Sequence, residues 1–402
     1  MRMSLNIEQI RQDFPVYRTL LKGKPPIYMD SACMTMCPAP VIEAVRRYYE
    51  EYPACAGRSV HAFGARVARE VENARRAVQK FLNAKKSSEI IFSKNTTESI
   101  NLIAGSLDLN AGDTVLTSDK EHNSCILPFQ ILAKRKGIAH RVFRFGDLDD
   151  FRAKLTPEVR LVATAHTSNF DGTSNPIGEI IRLAHQNGSL VLIDGAQSVP
   201  HRELDVRKLD VDFLAFSGHK MLGPNATGVL YGKLDLLEKL SMFLVGGDTV
   251  VNSTYETYEA EDLPARFEAG LQNYAGIIGL GQAIEYLNRI GLKNIEEHER
   301  ALNTFITGEF ANLGVPVYGD PDPARRSGIV SFAIPGIDHH EVAGILNESA
   351  NIMIRSGMHC VHSWCNANLV KGSARVSLYV YNTLEECRTL VSEVGKIRRM
   401  VG

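Results

Sequence analysis

The sequence predicts an α/β fold, in which a large domain with a mainly parallel sheet precedes a smaller α+β domain. The chain of 402 residues is 44% hydrophobic and 23% charged, as is usual for two or three globular units. From residue 89, short β-rich runs alternate with helical stretches, which is typical of a parallel sheet covered by helices. The runs are almost continuously apolar, as expected of strands buried on both faces.

The first elements are predicted to be helices. Asn6 and Gln9 have the spacing of a capping box, and residues 39–83 carry apolar residues at three- and four-residue intervals. The helical stretches SINLIAGSL, ILPFQILAKRK and IGEIIRLAHQN then alternate with the strands of the sheet. Those strands are predicted at EIIF, TVLT, HRVFRF, VRLVATA, SLVLID, DFLAFS and GVLYG.

The pattern changes after about residue 264. Two long helical stretches precede GIVSFAIPG, a helix around HHEVAGILNES, the segment NIMIRSGMHC and the strand-like ARVSLYVY. A last helix ends in Lys and Arg, which favour the negative end of a helix dipole. We therefore predict an N-terminal segment at 1–25 that packs with the small domain, a large domain at 26–263 and the small domain at 264–402.

Composition excludes several classes of function. The 45 Lys and Arg residues balance 46 Asp and Glu residues, so bulk charge gives no basis for binding nucleic acid or an anionic membrane. No run approaches the ~20 apolar residues of a membrane-spanning helix, and no secretory signal is visible. Seven scattered cysteines are typical of reduced thiols, so we expect a cytoplasmic protein. Most of them are expected to be structural: Cys33, Cys37, Cys55, Cys125 and Cys387.

Polar residues follow five predicted strands at their carboxyl ends, where open α/β sheets bind ligands. They occupy positions 94–97, 121–122, 168–169, 194–197 and 217–220. Neither G-x-G-x-x-G after a strand nor G-x-x-x-x-G-K-[ST] occurs, so a dinucleotide or nucleoside-triphosphate site lacks its glycine motif.

Taken singly, these residues have structural as well as functional interpretations. Thr96 and Thr97 would either bind an anion at a helix N-terminus or cap that helix. Asp194 ends an apolar strand, where a carboxylate needs a cationic partner or acquires a raised pKa. Lys220 follows another such strand, and a desolvated lysine with a lowered pKa can form a Schiff base.

Taken together, Asp194-Gly-Ala-Gln197, Ser217-Gly-His-Lys220 and the upstream His122 resemble the pyridoxal-phosphate site of class V aminotransferase-like enzymes of fold type I. The sequence is most similar to cysteine desulfurases and selenocysteine lyases of the SufS/CsdA type. The similarity covers nearly the whole chain, and further motifs occur in family order: IYMDSACMT, GRSVHAFGARV, NTTESINLIA, EHNSCILPF, TSNFDGTSNPI, RFEAGLQN, IRSGMHC and ARVSLYVYN.

The resemblance implies the PLP-dependent transferase fold and pyridoxal 5'-phosphate as cofactor. Lys220 would bind the cofactor covalently and move the substrate Cα proton, while Asp194 would pair with the ring nitrogen. Gln197 would bind the phenolic oxygen and His122 would stack on the ring. The remaining cofactor residues would be Thr96, Thr97, Asn169, Ser217 and His219. The substrate would contact Asn169, Arg355 and Arg375, with Arg58 and His61 from this subunit or from the partner in a homodimer.

The resemblance also implies that Cys360, in Arg355-Ser-Gly-Met-His-Cys360, accepts sulfur as a persulfide. L-cysteine would become L-alanine, and the sulfur would pass to an acceptor protein, as in iron–sulfur cluster assembly. Arg355 or a protonated His359 would stabilise the Cys360 thiolate. The run from 359 to 365 also has metal-ligand residue types, but its spacing fits no common zinc motif, so we expect no metal.

Departures from the family pattern bear on the substrate. Ser31-Ala32-Cys33 replaces the usual Asn-Ala-Ala, and Met358 and Asn123 replace histidines. Leu271 replaces a threonine that commonly contacts the phosphate across a dimer interface, a contact for which Gln272 could compensate. The alternatives are a selenocysteine lyase, an aminotransferase- or epimerase-like enzyme acting on another amino acid, and a non-catalytic scaffold in a sulfur-transfer complex.

Overall fold

The computed structural model describes residues 5–57 and 59–401, so Arg58 lies outside the described residues. The helices are α1 Ile7–Gln12, α2 Ala39–Glu51, α3 Ala62–Leu82, α4 Thr96–Ser106, α5 Asn123–Lys136, α6 Leu148–Lys154, α7 Ile177–Gln186, α8 Val206–Leu209, α9 Leu234–Leu237, α10 Tyr274–Ile290, α11 Leu292–Asn312, α12 His339–Ala350, α13 His362–Ala367 and α14 Leu384–Val401. The strands are β1 Ile27–Tyr28, β2 Ile90–Ser93, β3 Thr114–Ser118, β4 Ala139–Phe143, β5 Val159–Ala165, β6 Leu190–Asp194, β7 Phe213–Ser217, β8 Gly228–Gly232, β9 Val250–Ser253, β10 Tyr258–Ala260, β11 Ile329–Phe332, β12 Ile352–Met353, β13 Arg355–Gly357 and β14 Ser373–Ser377. Within the described ranges, no helix is both long and apolar enough to cross a bilayer.

The large sheet contains all seven strands predicted for it, in the order β2-β8-β7-β6-β5-β3-β4. Strand β8 runs antiparallel to β2 and β7, and the other neighbouring pairs are parallel. Along β6, Val191 and Ile193 belong to one hydrophobic core and Leu192 to another. Because alternate residues of a strand point to opposite faces, the sheet is buried on both sides. The predicted mainly parallel sheet is confirmed.

A second, three-stranded antiparallel sheet, in the order β11-β14-β13, forms the α+β part of the chain. Its core includes Phe310 of α11, Leu346 of α12 and Leu390 of α14. The N-terminal segment contacts this part through Arg11, whose Nη1 lies 2.6 Å from Oε1 of Glu386. Helix α1 begins after Asn6, which caps it as the sequence predicts.

Helix α10 shows how the two parts are joined. Its buried residues, among them Leu280 and Ile284, belong to the core that also contains Val191 and Ile193 of the large sheet. Helix α11, by contrast, contributes Ile306 and Phe310 to the core of the small sheet. The predicted boundary at 263/264 stays a prediction, and this packing favours a boundary between α10 and α11. Helical periodicity shows that a face is buried but does not show which core it completes.

Candidate active site

A cavity of about 220 Å³ lies at the carboxyl ends of the large-sheet strands and is closed on one side by the small sheet. Twelve residues predicted for the site line it: Thr96, Thr97, His122, Asn169, Asp194, Gln197, Ser217, His219, Lys220, Arg355, Cys360 and Arg375. Residues not assigned to the site by the sequence also line it, and they include Ala32, Cys33, Asn95, Ser124 and Thr167. His359, predicted as a partner of the Cys360 thiolate, lines the cavity as well. The cavity therefore brings together segments that are more than 300 residues apart in the chain.

Lys220 is placed by the tight turn that follows β7. Gly218 N donates to Thr227 O at 2.8 Å, and a side chain at Gly218 would overlap Oγ1 of Thr227, so this position requires glycine. The chain then makes a single 3-10 turn, and Lys220 ends it facing the cavity. Burial lowers the pKa of the Lys220 amine, and the nearby carboxylate of Asp194 opposes that shift.

Asp194 and Gln197 occupy the turn that follows β6. Oδ1 of Asp194 accepts from Ala196 N at 2.9 Å, and burial raises the pKa of its carboxyl although Lys220 opposes the rise. Gln197 donates from Nε2 to Ala32 O at 2.7 Å. Its Oε1 is buried and has no hydrogen-bond partner among the described residues. Such an unsatisfied atom costs about 1–3 kcal/mol, so a polar ligand in the cavity would relieve this cost.

The N-terminus of α4 supplies a group of hydroxyls. Asn95, and not a threonine, caps the helix, because its Oδ1 accepts from Glu98 N at 3.0 Å. Ser217 Oγ lies 2.7 Å from Thr96 Oγ1 and accepts from Thr96 N at 2.9 Å. Thr97 Oγ1 lies 2.7 Å from Ser124 Oγ. Clustered hydroxyls beside a helix N-terminus suit an anion such as a phosphate.

The two cavity histidines of the large domain are neutral. Burial lowers the pKa of His122 to about 3 and that of His219 to about 4, and Lys220 contributes to both shifts. Nδ1 of His122 accepts from Ser124 N at 3.1 Å, so the neutral ring carries its proton on Nε2. A neutral imidazole can stack on an aromatic ring without the desolvation cost of a cation.

Two arginines of the small sheet form the opposite wall. Arg355 on β13 is the direct cross-strand partner of Arg375 on β14. Arg375 donates from Nη1 to Asn169 O at 2.7 Å, and its Nε is buried without a hydrogen-bond partner in the described ranges. Asp30 accepts from both guanidinium groups, at 3.4 Å from Arg375 and 3.5 Å from Arg355. This wall can therefore bind a carboxylate.

The backbone holds the loop that carries Cys360. His359 and Cys360 have φ values of 51° and 59°, in the left-handed region that costs energy for residues other than glycine. Asn169 donates from Nδ2 to His359 O at 2.6 Å, and Asn123 donates from its backbone N to Cys360 O at 2.7 Å. The next residue, Val361, packs against Phe170. The loop is fixed on both sides while Cys360 itself stays exposed at the cavity.

One expectation about the thiols is wrong. His359 is not a protonated partner of Cys360, because burial lowers the pKa of His359 to about 2 and its Nε2 lies 2.9 Å from Ser373 Oγ. Cys33, which was expected to be structural, lines the cavity, and Arg355 Nη1 lies 2.6 Å from its Sγ. The departure from the family's Asn-Ala-Ala run was the only sequence signal for Cys33.

Other predicted residues lie elsewhere. His61 is exposed at the N-cap of α3, where Nδ1 accepts from Gly64 N at 3.3 Å, and it is not among the cavity residues. Arg58 falls outside the described residues. Leu271 is 73% exposed, and Gln272 donates from Nε2 to Ala269 O and Gly270 O within its own turn. The single-chain structure therefore leaves any contribution of Arg58 and His61 to a site as a prediction.

The fold and the cavity define an α/β enzyme class in which a buried carboxylate and a cavity lysine lie at the ends of neighbouring parallel strands. Residues 27–390 match the family described as Aminotransferase class-V, and the chain belongs to that family.

Similar proteins match along the full length. The chain is 38% identical to a probable cysteine desulfurase of Halalkalibacterium halodurans, over 99% of each chain. It is 37% identical to a cysteine desulfurase of Escherichia coli O127:H6, over the whole of each chain. Among solved structures, the apo cysteine desulfurase of Thermococcus onnurineus NA1 superposes with a TM-score of 0.93 at 36% identity, covering 100% of this chain and 99% of that one. Cysteine desulfurase CsdA of Escherichia coli, in an S-sulfonic acid form, gives 0.91 at 32% identity with full coverage of both chains.

Proposed function

We propose that this protein is a pyridoxal-phosphate-dependent cysteine desulfurase, which converts L-cysteine to L-alanine and holds the released sulfur as a persulfide on Cys360. The observation that carries the proposal is that Lys220 and Cys360, from different domains, line one small cavity. The names of the full-length relatives support this activity over that of an aminotransferase or a scaffold.

The cavity fits pyridoxal phosphate at each end. The hydroxyls of Thr96, Thr97 and Ser217 beside the α4 N-terminus suit the phosphate. Asp194 suits a protonated ring nitrogen, and the unsatisfied Oε1 of Gln197 marks a polar contact that a ligand would complete. Bound pyridoxal phosphate supplies an electron sink that stabilises negative charge at the substrate Cα.

The lysine, the two arginines and the cysteine of the cavity have separate roles in the reaction. Lys220 holds the cofactor through Nζ and moves the proton at the substrate Cα, a task that suits an amine with a lowered pKa. Arg375, with Arg355 beside it, orients the substrate carboxylate. The Cys360 thiolate forms a bond to the substrate sulfur while the bond between that sulfur and Cβ breaks, which releases alanine and leaves the persulfide.

The proposal extends to the setting of the reaction. The seven cysteines are all free thiols, which suits the reducing cytoplasm. Leu244 and Leu271 are exposed and line a common cavity of about 260 Å³, and such apolar residues support a homodimer interface. The persulfide sulfur would pass to an acceptor protein, for example in iron–sulfur cluster assembly.

One experiment tests the activity. The cofactor-loaded protein is mixed with L-cysteine, L-selenocysteine and other amino acids, and alanine, sulfide, selenide and keto acids are measured. We expect alanine from L-cysteine and a loss of about 10²-fold or more in Cys360→Ala, whereas selenocysteine cleavage survives that change better. Cys55→Ala, at an exposed thiol, is the matched control. Absence of alanine from both substrates would refute the proposal.

A further inference from the structure

Two thiols, not one, line the reaction cavity. Of the seven cysteines, Cys33 and Cys360 are the pair among its lining residues. The cavity volume of about 220 Å³ is smaller than a typical ligand pocket, and both thiols belong to its lining. Both sulfurs also lie near enough to Lys220 to oppose the lowering of its amine pKa.

Hydrogen bonds place the backbone of Cys33 beside the site. Cys33 N donates to Asp30 O at 3.0 Å, while the preceding Ala32 donates from N to Ser377 Oγ at 2.9 Å. Ala32 O in turn accepts from Nε2 of Gln197 at 2.7 Å. Cys33 therefore lies beside the cofactor turn and lines the cavity that Cys360 also lines.

Arg355 lies near both thiols. Its Nη1 lies 2.6 Å from Cys33 Sγ, and its own strand leads directly into the loop of Cys360. Both cysteines also contribute electrostatically to the environment of Arg355. The cavity thus contains a second thiol beside that of Cys360.

We propose that Cys33 resolves the Cys360 persulfide inside the cavity and releases sulfide. This activity rests on the proposed desulfurase function and gives the persulfide sulfur a second product, free sulfide. Cys33 Sγ attacks Cys360 Sγ, a bond between these two sulfurs forms, and the bond to the outer sulfur breaks. The outer sulfur leaves as hydrosulfide with the electron pair. The Cys33 sulfur is oxidised as the outer sulfur is reduced, so no external oxidant is consumed.

The product is a Cys33–Cys360 disulfide, which a dithiol reductant converts back to two thiols before the next turnover. With such a reductant the protein releases free sulfide. With an acceptor protein that reaches Cys360 first, it transfers persulfide sulfur instead. Cys360 is exposed and Cys33 is half-buried, so an acceptor protein can reach Cys360 from outside while Cys33 attacks it from within the cavity.

The test is a single turnover under anaerobic conditions without reductant, with one equivalent of L-cysteine per cofactor-loaded protomer. Alanine and sulfide are measured, and the cysteine peptides are identified by mass spectrometry. We expect the natural protein to release about one sulfide per alanine and to contain the Cys33–Cys360 disulfide. In Cys33→Ser and Cys33→Ala, sulfide per alanine falls about tenfold or more, and the Cys360 peptide gains the mass of one sulfur atom.

Cys37→Ser is the matched control, because Cys37 lies in the same segment, its Sγ donates to Gly223 O at 3.4 Å, and it does not line the cavity. Its ratio of sulfide to alanine should equal that of the natural protein. If the natural protein forms alanine but keeps a stable Cys360 persulfide and contains no disulfide, the role proposed for Cys33 is overturned and the desulfurase function is not. Absence of alanine would overturn the proposed desulfurase function and the inference with it.

Discussion

Arg355 and Arg375 face each other across neighbouring strands of the small sheet, and both bind Asp30. Like charges directly opposite each other destabilise a sheet, and Asp30 offsets part of that repulsion. Burial raises the pKa of the Asp30 carboxyl, while the two arginines favour its charged form. One carboxylate shared by two guanidinium groups leaves positive charge for a substrate carboxylate.

Replacement of Arg375 by lysine should weaken substrate binding. Lysine keeps the charge but lacks the planar, five-donor guanidinium group with which Arg375 donates to Asn169 O and Asp30 and can still bind a carboxylate through two hydrogen bonds. We expect KM for L-cysteine to rise about 10- to 100-fold, as the loss of a charged hydrogen bond of about 1.5–3 kcal/mol implies. Arg388→Lys, on the exposed side of α14, is the control. An unchanged KM in the folded Arg375→Lys protein would refute the carboxylate role.

Lys220→Ala should abolish covalent attachment of the cofactor and lower alanine formation by about 10³-fold, because we propose that this one residue both holds the cofactor and moves the Cα proton. Absorbance of the cofactor-loaded protein measures attachment, and a product assay measures turnover. Lys208→Ala is the control, since the Lys208 side chain is 85% exposed. Retention of the covalent absorbance band in Lys220→Ala would show that another amine carries the cofactor.

Asp194→Asn should remove the anionic neighbour of Lys220 without a large change in side-chain volume. The pKa of the Lys220 amine should fall further, because Asp194 opposes the effect of burial on it. We expect turnover to drop by about 10²- to 10⁴-fold, with a changed cofactor spectrum, because the proposed partner of the ring nitrogen is removed. Asp149→Asn, at a side chain that is 94% exposed, should leave both unchanged. Full activity of Asp194→Asn would contradict the assigned role.

Glu121 makes a pH-dependent contribution to stability. Its carboxyl is buried, accepts from Thr164 Oγ1 at 2.7 Å and from Ala165 N at 2.8 Å, and has its pKa raised from 4.5 to about 7, chiefly by burial. Below pH 4.5 both the folded and the unfolded chain hold this proton, so the carboxyl causes no change of folding stability with pH in that range. Between pH 4.5 and 7 only the unfolded chain releases it, so folding stability falls as pH rises and stays reduced above pH 7.

Glu121→Gln should remove this dependence. Relative to the natural protein, the variant should gain up to about 3 kcal/mol in free energy of unfolding between acid and neutral pH. Denaturant unfolding at a series of pH values measures the difference. Glu256→Gln, at an exposed residue of the β9–β10 turn, should show no such trend. A parallel pH dependence in Glu121→Gln and the natural protein would mean that Glu121 is already ionised in the folded state.

Much of the site was predictable because its residues follow apolar strands at fixed positions. Asp194, Ser217 and Lys220 lie at strand ends, and parallel strands bring those ends to one edge of the sheet. Asp30 and Ser124 were missed as individual residues, although both lie in motifs that the sequence analysis had singled out. Their partners, Arg375 and Thr97, are distant in the chain, and no local pattern encodes a contact of that kind.

The amino-acid sequence by itself predicted the strands, the long helices and the candidate cofactor residues, because hydrophobic periodicity and short motifs are local properties. Only the tertiary structure decided the protonation of His359, the place of α10 in the large-sheet core and the position of Cys33. Each of these depends on which distant surfaces exclude water from a group. Burial is produced by the whole fold, and it decides which side chains keep their charge.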